Sequence, residues 1–88
     1  MSDRPITVLI ADDHPVVRAG LRALIATDAT ITVVADAATP REAVEGTLRL
    51  RPDVVLMDLR FGGSESGVDA TRALKRASDP PAVLILTN

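Results

Sequence analysis

VLIADDHPVV, Val8 to Val17, decides how the chain reads. An apolar run surfaces in two adjacent aspartates, then a histidine and a proline. Like charges that close repel by about 4 kcal/mol at 4 Å when the effective dielectric is near 20. Placing Asp12 beside Asp13 at the end of a buried segment therefore calls for something that offsets the repulsion. Pro15 suits the first position of a helix, where its missing N–H costs nothing. His14 stands where a helix cap would, and Val17, Leu21, Leu24 and Ile25 then recur at helical spacing. The stretch reads as a strand, a tight turn and a helix.

The same grammar repeats along the chain. Ile6–Ala11, Ile31–Ala37, Asp53–Asp58 and Ala82–Thr87 are short apolar runs rich in β-branched residues. The first, third and fourth are apolar at successive positions, as in strands covered on both faces. A second helix opens at TPRE, with Thr39 as cap, Pro40 first and Glu42 placed for a capping box. It runs to about Arg51 and stops before Pro52; Gly46 inside it is a mild cost. A third spans roughly 67–77, capped by Ser66, with Val68, Thr71 and Leu74 on one side. The order β-α-β-α-β-α-β predicts an α/β domain, a parallel sheet with right-handed crossovers and helices on both faces. The loop from Arg60 to Gly67 is expected to be the most mobile segment.

Composition narrows the function. Eighty-eight residues suffice for one small domain, and 47% hydrophobic residues permit a real core. The net charge is −2 and Phe61 is the only aromatic, which argues against a nucleic-acid surface on this chain. With no cysteine there are no disulfides or thiolate metal sites. No apolar run approaches a membrane span of about 20 residues, and the N-terminus has no signal-peptide pattern. A cytoplasmic protein is the expectation.

Asp12 and Asp13 end the first strand and Asp58 ends the third. In open α/β sheets, ligands bind beyond the carboxyl ends of the strands, where strand order reverses. If strands one and three are neighbours, three carboxylates converge there, and a hard divalent cation such as Mg²⁺ suits them. The plain alternative is helix capping, which aspartates after strands often perform. His14 reads as a cap or cleft-edge residue rather than a ligand, since Mg²⁺ prefers oxygen. Thr87 ends the fourth strand; its hydroxyl either favours strand geometry or reaches a bound phosphoryl oxygen. FGGSESG matches neither nucleotide-binding nor serine-nucleophile patterns. Arg18, Arg22, Arg49, Arg51, Arg72 and Arg76 read as solvated helix faces.

VLIADDHPVVRAGLRALI, RPDVVLMDLR, GVDATRALK and VLILT, in that order, resemble the receiver domain of two-component response regulators. The ADDHPVVRAGL form is similar to receivers that precede a LuxR-type helix-turn-helix output domain. The resemblance implies a flavodoxin-like, doubly wound sheet of strand order 2-1-3-4. It implies that Asp58 is the phosphoacceptor for a sensor histidine kinase, that Asp12, Asp13, Asp58 and the Arg60 backbone carbonyl hold Mg²⁺, and that Thr87 is the switch hydroxyl. Such a domain phosphorylates itself and is not a turnover enzyme; in a full-length protein its output is DNA binding and transcription.

The chain departs from that pattern in three ways. Phe61 and Gly62 stand where the family usually has a proline, and the loop to Gly67 is one residue longer. A complete receiver continues past Asn88 through a helix, a strand ending in a lysine, and a last helix. Lys75, the only lysine, sits in the third helix. Residues 1–88 are thus expected to be the N-terminal part of a receiver, without its DNA-binding domain, and to self-associate through the fourth-strand edge or the first-helix face. Two other readings stay open: a pseudo-receiver that only binds protein, and a Mg²⁺-dependent phosphohydrolase with an aspartyl nucleophile, whose Asp-x-Asp signature is here DLR.

Overall fold

The computed structural model describes residues 4–61 and 66–86. Four strands and three helices alternate: β1 (Ile6–Ala11), α1 (Pro15–Ile25), β2 (Ile31–Ala37), α2 (Pro40–Leu50), β3 (Val54–Asp58), α3 (Gly67–Lys75) and β4 (Ala82–Leu86). All neighbouring strands run parallel, in the order β2-β1-β3-β4. β1 and β3 are therefore adjacent, and the strand order reverses at β1, as the receiver resemblance implies. The first crossover goes one way along the sheet and the second goes the other. Right-handed connections then put α1 on one face and α2 and α3 on the opposite one.

The core lies under α2 and α3. Leu9, Ala11, Ala37, Ala43, Val55, Met57, Ala70 and Leu74 form one buried cluster. Leu9, Ile10, Val55, Met57 and Leu74 are fully buried, each stabilising by about 1.5–3 kcal/mol. Consecutive buried residues in β1 mark it as covered on both faces. The continuous apolar run of β4 does not behave so: Leu84 is 56% exposed and Ile85 is also exposed. β4 is a sheet edge, and the face that alternates toward α1 is thinly covered. α1 itself buries no residue fully; Leu21 and Ile25 are half-buried and Leu24 is 68% exposed.

Local chemistry explains the helix ends. Thr39 Oγ1 accepts from Glu42 N at 3.1 Å. Glu42 Oε1 reaches back to Ala38 N at 2.8 Å, one residue short of the cap amide that a capping box would use. Ser66 caps α3 by accepting from Asp69 N at 3.1 Å. α2 ends with Arg51 in the left-handed region, φ 50°, its N–H on Thr47 O, because Pro52 forbids another turn.

Several sequence expectations need correction. The His14 side chain makes no cap hydrogen bond to α1, being drawn to carboxylates instead. α3 buries Gly67, Ala70 and Leu74, not Val68, which is exposed, because the helix turns its smallest residues to the sheet. Gly46 sits close to the core: a Cβ there would lie 3.0 Å from Leu9 Cδ1, a tight contact. The loop reading for 62–65 and the Thr87 assignment fall outside the described residues.

At the amino end of the sheet, Asp53 ties strands together. Its carboxylate accepts two bonds from Arg4, at 3.0 and 2.8 Å, one from Thr7 N at 2.8 Å and one from Thr7 Oγ1 at 3.1 Å. Its carbonyl accepts from Ala82 N at 3.0 Å. The Arg4 guanidinium, with the Thr7 amide second, holds the Asp53 carboxyl well below the ordinary carboxylate range.

Candidate functional site

The acidic residues assemble because two neighbouring strands end together. β1 pairs with β3 up to Ala11 opposite Met57, so the next residues, Asp12 and Asp58, leave the sheet side by side. Asp12 still belongs to the ladder on its other flank, its N–H donating to Ala37 O at 3.0 Å. Both carboxylates are buried, Asp12 at 5% and Asp58 at 6% exposure, while Asp13 is half-buried. One ligand atom each from Asp12, Asp13, His14 and Asp58 lies within 4.8 Å of the others. The condition left open by the sequence is met: the three aspartates share one rim.

Each carboxylate has a defined seat. Asp58 Oδ1 accepts from Arg60 N at 2.9 Å, which orients the carboxylate at the start of the loop. Asp12 Oδ1 accepts from His14 N at 2.7 Å and lies 2.8 Å from His14 Nδ1. The same Nδ1 is 2.9 Å from Asp13 Oδ1. Its bond to Asp12 above all, then the Asp13 charge, raises the affinity of the His14 ring for a proton.

Three residues shape this rim in ways the sequence alone does not show. Arg18 does not lie on a solvated face. It is half-buried, its Nη1 donating to the backbone carbonyl of Asp12 at 2.7 Å, with its Nε 3.9 Å from Asp36 Oδ2. Arg22 completes that cluster with a 2.9 Å bond to the same oxygen. Gly67 opens α3 directly on the end of β3. A Cβ there would overlap the Asp58 carbonyl oxygen and lie 2.7 Å from Leu59 Cα. A glycine three-quarters along the chain is a readable signal; Arg18 is not, since its role depends on which face of α1 meets β2.

A hard-oxygen donor set of three carboxylates, two of them buried, fits a divalent cation of the Mg²⁺ kind. Such an ion would offset the repulsion that burial intensifies. The rim thus gathers three carboxylates and one imidazole at the carboxyl ends of β1 and β3.

The sequence profile of the response regulator receiver domain matches residues 8–88. The chain belongs to the response regulator receiver domain family. Among relatives of this receiver is the transcriptional regulatory protein LiaR of Bacillus subtilis, 39% identical over 83 residues that cover 94% of this chain and 39% of LiaR. The response regulator domain of Thermotoga maritima CheB superposes with a TM-score of 0.87 at 32% identity, over 93% of this chain and 60% of that one. A LuxR-family two-component response regulator from Aurantimonas sp. SI85-9A1 gives 0.84 at 37% identity, over 92% and 57%. The receiver spans about 40% of the length of the curated relatives it matches. No helix of its described residues is long and apolar enough to cross a membrane.

Proposed function

We propose that Asp58 of this receiver accepts a phosphoryl group from the phosphohistidine of a sensor histidine kinase. One Asp58 oxygen bonds to phosphorus as the phosphorus–nitrogen bond breaks; the leaving imidazole keeps that electron pair and takes a proton. A divalent cation such as Mg²⁺, held by Asp12, Asp13, Asp58 and the Arg60 carbonyl, supplies charge neutralisation for the phosphoryl oxygens. Arg60 N–H steadies the Asp58 carboxylate. Arg18 holds the Asp12 carbonyl, and so the turn that carries two of the acids. Thr87, next in sequence to β4, is assigned the hydroxyl that answers to the phosphoryl group. The full-length protein would convert this event into DNA binding through a LuxR-type output domain in the cytoplasm. Exposed apolar residues on α1 and β4 favour self-association of these residues, which sedimentation at rising concentration would detect.

The observation that carries the reading is the convergence of Asp12, Asp13 and Asp58 at one rim. Beryllium trifluoride, a phosphoryl analogue, tests it in the presence of Mg²⁺. Binding that is lost in Asp58→Ala supports the phosphoacceptor role. Repeated release of phosphate from small esters would point to the hydrolase reading, and indifference to both metal and analogue to a protein-binding pseudo-receiver.

A further inference from the structure

We propose that the His14 side chain is a displaceable plug on the cation seat, weakening Mg²⁺ binding rather than contributing to it. The inference rests on the proposed cation role of Asp12 and Asp13. His14 Nδ1 stands 2.8 Å from Asp12 Oδ1 and 2.9 Å from Asp13 Oδ1. A carboxylate only accepts hydrogen bonds, so Nδ1 carries the proton in this arrangement and has no lone pair to give a metal. An ion shared by the same two oxygens, at about 2.0–2.1 Å from each, needs the approach that the N–H occupies. Ring and cation compete for one position.

The two sides of the contact differ in freedom. The Asp12 side chain is 7% exposed and fixed by a second bond, from His14 N at 2.7 Å. The His14 side chain is 63% exposed and makes no cap bond to α1. Its ring can turn into solvent at the cost of its carboxylate contacts, while Asp12 keeps the bond from His14 N. His14 is therefore a competitor of the ion, and its ring must let go of both acids when an ion enters.

Calorimetric titration with Mg²⁺ at a single pH, on the wild-type chain and on His14→Ala, tests the plug. The expected result is an affinity about threefold to tenfold higher in His14→Ala, the worth of the hydrogen bonds no longer broken. In the wild-type chain, the imidazole resonances of its only histidine should shift with the same midpoint as the heat. Weaker or unchanged binding in His14→Ala, or resonances that stay put as Mg²⁺ saturates, overturns the proposal. Absence of Mg²⁺ binding in both chains overturns the cation reading itself, and this proposal with it.

Discussion

Gly67 opens α3 directly over the backbone carbonyl of Asp58, with no room for a methyl group between them. The obstruction is main chain on both sides, so no side chain can rotate away to relieve it. Gly67→Ala should destabilise the fold by about 1–3 kcal/mol, the usual cost of overpacking. It should also weaken binding of beryllium trifluoride, because the strand end that carries Asp58 must shift. Urea unfolding alongside analogue binding checks both. A variant that keeps wild-type stability and binding would mean that α3 does not set the position of Asp58.

If the three clustered carboxylates repel one another and hold a cation, charge removal and metal should act in opposite ways. Asp13→Asn removes one charge and should raise stability by on the order of 1 kcal/mol in chelator. Adding Mg²⁺ at a hundredfold excess over Kd should stabilise the wild-type chain by about 2.7 kcal/mol, and the variant by much less. Thermal melts with and without Mg²⁺ report both effects. The sign matters most: a variant less stable than wild type in chelator would show that Asp13 stabilises by its bonds more than it destabilises by its charge.

Asp53 makes a prediction about acid. Its carboxyl titrates lower in the folded chain than the value near 3.9 expected when unfolded, chiefly because of Arg4. The stabilisation it contributes is fully present above about pH 4 and is lost as the pH falls toward the folded value. Asp53→Asn should therefore be less stable than wild type at neutral pH, with the gap closing below about pH 4. Denaturant midpoints across that range measure it. A constant gap at all pH values would mean that the carboxylate's charge is not what holds Arg4 and Thr7.

Arg18 connects α1 to the site through one bond to the Asp12 carbonyl. Arg18→Met keeps the apolar stem and removes the guanidinium. Metal affinity should fall about threefold to tenfold, since a hydrogen bond from a charged donor is lost from the turn that aims two ligands. Far-ultraviolet circular dichroism should stay that of the wild type. Unaltered Mg²⁺ affinity would reduce Arg18 to a surface ion pair with Asp36.

Much of this architecture is legible in the residues themselves. Ile6–Ala11 and Ile31–Ala37 are strands over those very residues, because β-branched runs there are cut off by aspartate, alanine and proline signals on either side. Pro15, Pro40 and Ser66 announce the helix starts for the local reasons that capping physics supplies. Strand order is different in kind. Nothing in the run of β3 says that it pairs with β1 rather than β2, and the order came from the family resemblance. That order is what turns Asp12 and Asp58 from two strand-end acids into one rim.

The misreadings concern side chains rather than backbone elements. Val68 and Leu74 both look core-facing on a helical wheel, yet only Leu74 is buried, together with Gly67 and Ala70. His14 looks like a cap because of where it stands, but two carboxylates within 3 Å outbid the helix amides for its ring. Arg18 looks like its fellow arginines until β2 places Asp36 beside it. Val68 and Arg18 turn on how a helix packs against the sheet, whereas His14 turns on the two residues just before it.

The Arg4–Asp53–Thr7 knot lies at the opposite end of β1 and β3 from the acids, and it serves them from there. Side chains of a strand alternate in direction, so sliding β1 past β3 by one step would send Asp12 and Asp58 to opposite sides of the molecule. That slip would first have to undo the bonds gathered on one carboxylate. The pocket is indexed from its far end, like a ruler read from a fixed zero. A mutation at Arg4 or Asp53, at the far end of the sheet, is therefore also a mutation in how Asp12 and Asp58 line up.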